Sequence, residues 1–169
     1  MLNERDDIAY AKLFYRKGGY ITREWYPYFL AARRDGMDFD DEYADGALSY
    51  YAKRVYTAVK ELGAAPVENI KRLAKFERRE KSKFESALVE LQMRLYITIC
   101  GEFQKISKDG SEYGWSSMMY CTTESFWGGD VFDRAARMAA DGAYEALREQ
   151  VYKLNPDADA ARIDRYIYG

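Results

Sequence analysis

The chain has 169 residues and a formal net charge of −2, and hydrophobic residues make up 48% of it. This composition allows one domain, or one domain with appended helices, and excludes a uniformly basic nucleic-acid tail. No apolar run approaches the roughly 20 residues of a membrane span. The charged N-terminus also lacks the apolar stretch of a secretory signal. We therefore expect a cytoplasmic protein that makes no membrane contact.

The sequence contains no histidine. Because histidine is the usual general base near neutral pH and the commonest metal ligand, its absence excludes a histidine-based triad, the usual zinc sites and a histidine proton shuttle. Carboxylates, tyrosines and lysines with shifted pKa values remain available for catalysis. We expect no cofactor and no metal, and the composition does not point to an enzyme.

The N-terminal segment predicts a hairpin followed by a short helix. Aromatic and apolar residues flank Gly18-Gly19, which indicates a β-hairpin over residues 12–21 with its turn at the two glycines. Thr22 is placed to cap a helix that starts at Arg23. An acidic loop, residues 35–45, follows, with one helical turn near its end.

Three helices are expected next. Ser49 is placed to cap the first helix and Gly63 to end it. Pro66 opens a second, shorter helix. Ser82 is placed to cap the third, which is expected over residues 82–95 with an apolar stripe on one side.

The sequence period then changes to that of strands. Residues 96–103 and 113–122 are β-branched and aromatic, and they flank a hairpin turn at residues 108–110. Cys100 and Cys121 lie on these two strands and are expected to be neighbours. Buried free thiols are their ordinary state, and a redox switch is the alternative.

Three helices followed by a two-stranded ribbon is the order of a winged helix. The fold class is therefore α+β, mainly α, with an N-terminal β-hairpin and C-terminal helices added to the winged helix. In the C-terminal part, Asp130 is placed to cap a helix, Asp141-Gly142 to interrupt it and Asn155-Pro156 to separate a last short helix. The expected division is an N-terminal hairpin and helix (1–48), a winged-helix domain (49–122) and a helical extension (123–169).

The segment from Lys71 to Lys83 has seven basic and two acidic residues. In helix-turn-helix modules the second helix of the pair enters the major groove with its N-terminal residues at the base edges. The unpaired N–H groups of that end also favour phosphate. We therefore predict duplex DNA as the partner, bound by this segment, by the third helix and by the wing tip: Lys75, Arg78, Arg79, Lys81, Ser82, Lys83, Ser86, Lys105 and Lys108.

A solvated charge run on a helix–helix loop is the plain alternative for this segment. Glu85 and Glu90 would repel phosphates if they faced the groove, whereas Gln92 is expected on the polar side of the same helix. The abundant aromatic residues fill a core more readily than they stack on bases. Only Tyr113 and Trp115, beside the wing turn, suit base stacking.

The acidic loop offers a different chemistry. Its six acids have a spacing that suggests calcium, but the loop lacks the glycine and terminal glutamate of an EF-hand loop. A solvated loop, or one that mimics the charge of DNA, is therefore favoured over a metal site.

Several runs resemble winged-helix proteins related to the AlkZ/YcaQ DNA glycosylases. They are Trp25-Tyr26-Pro27-Tyr28-Phe29, Leu48-Ser49-Tyr50-Tyr51-Ala52-Lys53 and Lys81 to Gln92, followed by Trp115. The resemblance covers roughly residues 10–160 and implies a DNA-binding ancestry and a body built from winged-helix units. Family members that excise alkylated or cross-linked bases resemble one another in a Gln-x-Gln or Gln-x-Asp motif. No glutamine of this chain begins such a motif: Gln92, Gln104 and Gln150.

Three hypotheses follow. The leading one is a non-enzymatic winged-helix protein that binds duplex DNA, as a regulator or a DNA-repair accessory. The second is a protein-interaction module on the same scaffold, which the acidic loop and the many tyrosines suit, and which includes a homodimer. The third is a reduced DNA glycosylase that uses a carboxylate such as Glu24 or Asp41.

Overall fold

The structure is a computed structural model that describes residues 7–104, 109 and 114–169. The described chain is α+β and folds around an antiparallel sheet of five strands. Its strands are β1 (Ile8–Phe14), β2 (Lys17–Thr22), β3 (Ala65–Pro66), β4 (Ile97–Phe103) and β5 (Ser117–Thr122). Its helices are α1 (Tyr26–Arg34), α2 (Phe39–Ala44), α3 (Tyr50–Leu62), α4 (Val67–Leu73), α5 (Lys81–Met93), α6 (Thr123–Trp127), α7 (Gly129–Ala136), α8 (Ala140–Leu154) and α9 (Ala160–Tyr168).

The strand order is β2-β1-β4-β5-β3, and an apolar cluster lies on each face of the sheet. Cluster 1 packs the four helices from α2 through α5 against strands β4 and β5. Cluster 2 packs β1, β2 and α1 against the C-terminal helices. Tyr10 of β1 pairs with Ile99 of β4, whose side chain packs on cluster 1. Ala9 and Ala11, the neighbours of Tyr10, are fully buried in cluster 2. Because side chains alternate along a strand, the two clusters lie on opposite faces.

The N-terminal hairpin is present, but the predicted position of its turn is wrong. Tyr15 and Arg16 form the turn, with φ angles of 50° and 61°. Gly18-Gly19 instead lies inside β2, where a Cβ would come within 2.5 Å of the Tyr10 hydroxyl at the first glycine and within 2.6 Å of the Phe14 ring at the second. The glycines therefore make room for two aromatic rings that lie across the strand.

The helix expected from Arg23 begins later, at Tyr26, and Thr22 does not cap it. The backbone N–H of Arg23 donates to the Asp7 carbonyl at 2.8 Å, so this residue still belongs to the hairpin. The acidic loop contains α2. Its first turn is closed by a capping box, in which Asp38 and Asp41 accept each other's backbone N–H.

The order of three helices and a paired ribbon is the one predicted. Ser49 caps α3, since its Oγ accepts the N–H of Ala52 at 3.0 Å, and Gly63 ends α3 at a φ of 72°. The cap predicted at Ser82 is wrong. A 3-10 turn at Arg78–Glu80 runs directly into α5, so that Ser82 falls inside the first turn of the helix.

Strand β5 lies between β4 and β3 and pairs with both. The thiols of Cys100 and Cys121 are free, and Cys121 pairs with Thr98, two residues before Cys100, which confirms that the cysteines are neighbours across the ribbon. The interaction between the two thiols lowers the pKa of Cys100 and raises that of Cys121. The ribbon turn predicted at residues 108–110 lies outside the described residues, apart from Asp109.

The C-terminal helices differ from the prediction in their boundaries. Gly128 precedes α7, so Asp130 lies in its first turn and does not cap it. The non-helical residues 137–139 separate α7 from α8. The predicted interruption, Asp141-Gly142, instead forms the first turn of α8. The predicted break at Asn155-Pro156 is confirmed, because α8 ends at Leu154. None of the described helices has the length and apolar character that a membrane crossing requires.

Arg33 joins four parts of the fold through backbone carbonyls. The side chain is 5% exposed, and its Nε and Nη2 donate to the carbonyls of Ile167 (2.6 Å) and Tyr166 (3.0 Å) on α9. Its Nη1 donates to Leu13 at 3.0 Å and to Met93 at 2.5 Å. Burial lowers the pKa of this guanidinium to about 10. A single side chain therefore ties α1 to the hairpin, to the end of α5 and to α9.

We predict that Arg33→Ala lowers the free energy of unfolding by about 3 kcal/mol or more, because it leaves buried carbonyls without a donor. Urea unfolding measures the change. Arg148→Ala is the matched control, because the Arg148 side chain is 43% exposed and forms a surface ion pair with Glu145 at 3.4 Å. Such a pair contributes little, so this substitution should lower the free energy of unfolding by less than about 0.5 kcal/mol. Equal losses in the two variants would contradict the joining role of Arg33.

The buried tyrosines predict alkaline instability. Burial raises the pKa of Tyr56 to about 12 and also raises those of Tyr26 and Tyr96. A raised folded-state pKa means full stability below the unfolded value of about 10, and loss as the pH rises toward the folded value. Arg33, with its lowered pKa, acts in the opposite direction over the same range but is one group against three.

The free energy of unfolding should therefore fall from about pH 10 upward, and it should stay nearly flat from pH 6 to 8, where no histidine titrates. Urea unfolding at stepped pH measures this, and tyrosinate absorbance follows the ionisation. Tyr56→Phe should make the fall less steep. An unchanged slope in that variant would show that Tyr56 ionises without unfolding.

Candidate nucleic-acid interface

Helix α5 exposes its N-terminal turns and buries the rest. Lys81, Ser82, Lys83, Glu85 and Ser86 are exposed, whereas the following turns pack into the protein. The exposed part carries two hydroxyls and three charges that can meet a ligand.

The hairpin engages the C-terminal half of α5. The backbone N–H of Lys12 in β1 donates to Gln92 Oε1 at 2.9 Å, and Gln92 Nε2 donates to the Leu88 carbonyl at 2.8 Å. Gln92 is 1% exposed, so the prediction that it lies on the polar side of the helix is wrong. An exposed Gln92 would be a base-edge reader, but here both ends of its amide are engaged within the fold.

The two glutamates of α5 have different surroundings. Glu90 accepts hydrogen bonds from the backbone N–H of Ser49 at 2.8 Å and from its hydroxyl at 2.6 Å, so it serves the start of α3. Glu85 is 60% exposed and lies 3.8 Å from Lys81 Nζ. Of these two glutamates, Glu85 alone presents an open carboxylate beside the basic residues, where it opposes phosphate.

The cations before α5 are exposed and weakly engaged. Arg79 pairs with Glu77 at 2.7 Å, but the two side chains are 82% and 62% exposed. Such surface pairs contribute little and exchange readily for another anion. Arg78 and Lys75 are exposed and form no ion pair within the described residues. The turn thus offers cations that the fold itself does not need.

Lys83 leans toward α3, with its Nζ 4.7 Å from the centroid of the Tyr51 ring. The ammonium remains exposed on the solvent side of that ring. The structure therefore brings together seven of the predicted residues around the start of α5: Lys75, Arg78, Arg79, Lys81, Ser82, Lys83 and Ser86.

The wing tip is the incomplete part of the predicted site. Lys105, Lys108 and Tyr113 lie outside the described residues. Trp115, at the start of the returning segment, is 95% exposed. Stacking by this indole remains a prediction.

Arg54 of α3 positions the basic turn, and the sequence patterns did not single it out. Its Nε and Nη2 donate to the Ala74 carbonyl at 3.1 and 2.9 Å, and Nη2 also donates to the Lys75 carbonyl at 2.8 Å. Its Nη1 lies 3.3 Å from Glu80 Oε1, and the guanidinium carbon lies 4.1 Å from the centroid of the Phe76 ring. Arg54 therefore supplies donors to the carbonyl end of α4 and orients the residues that lead into α5.

The 3-10 turn contributes its own fixed geometry. Glu77 and Glu80 form a capping box, in which Glu80 Oε2 accepts the N–H of Glu77 at 3.0 Å. This hydrogen bond, together with Arg54, holds the pKa of Glu80 below its ordinary value. The missing signal in the sequence was the end of α4. Lys75 ends that helix with a φ of 55°, the left-handed conformation that glycine usually supplies, and the N–H groups of Lys75 and Phe76 donate to the carbonyls of Arg72 and Lys71. The carbonyls of Ala74 and Lys75 lie beyond this motif and take Arg54 as their donor.

No group of three or more acidic or cysteine side chains placed to hold a metal occurs in the part of the chain that the structure describes. The acidic loop uses two of its carboxylates, Asp38 and Asp41, to close the first turn of α2. A third acid of the loop, Glu42, is fully buried and paired with Arg94. Within the fold, these carboxylates therefore cap a helix and form a buried ion pair.

We predict that Arg54→Ala destabilises the protein by about 1–3 kcal/mol and loosens the turn before α5, because two carbonyls and one carboxylate lose their donor. Urea unfolding and amide hydrogen exchange at residues 74–81 measure the two effects. Arg54→Lys keeps the charge but cannot reach all three acceptors, so it should recover only part of the loss. Unchanged exchange in Arg54→Ala would rule out the positioning role.

Comparison with known proteins agrees with the resemblance of the sequence runs. A family model described as AlkZ related matches residues 1–168. Searches among curated proteins and among solved structures find no match. The family match spans nearly the whole chain, including the basic turn, α5 and the ribbon. The chain therefore belongs to the AlkZ-related family.

Proposed function

We propose that residues 49–122 form a winged-helix unit that binds duplex DNA. The order α3, α4, α5, β4 and β5 supports this assignment, as does the exposure of the first turns of α5. Residues 1–48 and 123–169 would then be additions that meet in cluster 2, on the far face of the sheet. The family suggests a context associated with DNA repair.

The observation that carries the proposal is the set of exposed, weakly engaged cations around the start of α5. Phosphates bind by replacing counter-ions and surface partners, so Arg79 exchanges Glu77 for a phosphate at little cost. Arg78 and Lys75 add cations without ion-pair partners among the described residues. Ser82 and Ser86 add hydroxyl donors on the exposed side of the helix.

The proposed role is non-enzymatic, as a regulator or a DNA-repair accessory. Neither carboxylate considered for base excision has a poised geometry. Asp41 accepts the backbone N–H of Asp38 at 3.3 Å within the capping box, and Glu24 is exposed. A general acid or base would be expected in a partly desolvated pocket. Binding without base release is therefore the function that these residues support best.

We predict that Arg78→Ala/Arg79→Ala/Lys83→Ala strongly weakens binding to a fluorescein-labelled random duplex. Five phosphate contacts from the basic turn correspond to a log–log salt slope of roughly −4 to −5, and three fewer should flatten it by nearly 3. Fluorescence anisotropy over a salt titration measures both quantities.

The matched control is Lys60→Ala/Arg137→Ala/Lys153→Ala, which removes the same charge from exposed positions outside the basic turn. It should bind almost as the unmodified protein does. Binding that is equal in the two triple variants would exclude the basic turn. No salt-dependent binding at all, together with a stable dimer in solution, would instead favour the protein-interaction module.

A further inference from the structure

We infer that the N-terminal hairpin is the second half of the DNA-binding surface, with Lys12 and Arg16 contacting backbone phosphates at the opposite end of α5 from the basic turn. This inference rests on the proposed function and extends its footprint to a segment outside residues 49–122.

The hairpin has an unusual charge composition for this acidic protein. Residues 8–22 contain three cations, Lys12, Arg16 and Lys17, and no acid. Lys12 and Arg16 are exposed and form no ion pair within the described residues.

The strand register places Lys12 on the α5 side of the sheet. Tyr10 pairs with Ile99, and cross-strand partners project from the same face, so Tyr10 shares the face of cluster 1. Lys12 lies two residues further along β1 and projects from that face as well. Its partner across the hairpin is Gly18, over which the Tyr10 ring lies on the same face.

Lys17, the remaining cation of the hairpin, projects from the opposite face of the sheet to Lys12. Lys17 pairs with Phe14, whose ring stacks on Tyr166 at 4.3 Å in cluster 2. The side chain of Lys17 therefore belongs to the other face of the sheet. The α5 side carries Tyr20 instead, 48% exposed and with its ring 4.7 Å from that of Tyr10, as a further hydroxyl donor for phosphate.

The hairpin is fixed against the last turns of α5. The N–H of Lys12 is bound by Gln92, and the carbonyls of Leu13 and Met93 share Nη1 of Arg33. Lys12 therefore lies at the C-terminal end of the helix, whose carbonyl dipoles alone would repel phosphate. Arg16 lies four residues further along, in the hairpin turn. The basic turn lies at the N-terminal end.

The length of α5 suits contacts with both backbones of a duplex. Helix α5 has 13 residues and is thus about 20 Å long, which exceeds the roughly 12 Å width of a major groove. When α5 lies across the major groove, the cations at its two ends reach the phosphate backbones on the two sides of the groove. The hairpin occupies the Gln92 amide, which therefore cannot contact a base. In exchange, the hairpin offers cations to the phosphates of the DNA backbone.

The test is a salt titration of duplex binding with the full chain and with Lys12→Ala/Arg16→Ala. Seven contacts give a slope of about −6, steeper than the basic turn alone can produce, and the double variant should flatten it by nearly 2. Between 50 and 200 mM salt, the double variant should then lose about tenfold less affinity than the unmodified protein. Arg137→Ala/Lys153→Ala removes equal charge from cluster 2 helices and should keep the slope.

The outcomes separate the inference from the proposed function. If the triple variant of the basic turn loses binding while Lys12→Ala/Arg16→Ala matches its control, the inference fails and the proposed function stands. If the unmodified protein does not bind duplex DNA, the proposed function fails and the inference fails with it. Circular dichroism of both double variants checks folding, and Lys12→Gln/Arg16→Gln, which keeps long side chains, should flatten the slope equally.

Discussion

The buried guanidinium of Arg33 is the constraint on which the arrangement of the rest depends. It has no carboxylate partner among the described residues and is satisfied by carbonyls from β1, α5 and α9.

Arg34, the next residue, binds the segment that leads into strand β4 of the ribbon. Its Nε donates to the Arg94 carbonyl at 3.1 Å and Nη2 to the Leu95 carbonyl, and the guanidinium carbon lies 3.8 Å from the centroid of the Tyr96 ring. Two consecutive arginines thus hold the segment where α5 turns into β4. That segment joins α5 to the central sheet.

The order of the elements was largely accessible from the sequence, because its signals are local, although the caps predicted at Thr22, Ser82 and Asp130 were wrong. Ser49 and Gly63 act through hydrogen bonds and backbone angles within a few residues, and both were predicted correctly. The hairpin turn was not, because Gly18-Gly19 has the composition of a turn but is needed for the rings of Tyr10 and Phe14. A glycine required by close packing has the same sequence signature as a glycine required by a turn. Only the register of the strands distinguishes the two.

The candidate interface was only partly accessible for the same reason. A run of cations is visible in a sequence, and so the basic turn was found. The roles of Gln92 and Arg54 depend on partners 80 and 20 residues away, which no local pattern encodes. Glu90, which looked like a repulsive charge, is bound at the start of α3. What a polar residue of α5 can do toward a ligand is thus decided by whether another element has already engaged it.

Cluster 2 has a consequence for how the chain reaches this state. It joins β1 and α1, from the first fifth of the chain, to α8 and α9, from the last fifth, whereas α3, α4 and α5 follow one another within about 45 residues. Contacts that close long loops form slowly, so the three central helices can assemble during synthesis well before their neighbours do. Until α9 is made, Arg33 lacks two of its acceptors, and the first strands have no partner layer. An emerging chain therefore exposes the apolar side of β1 and α1 until α8 and α9 have been made.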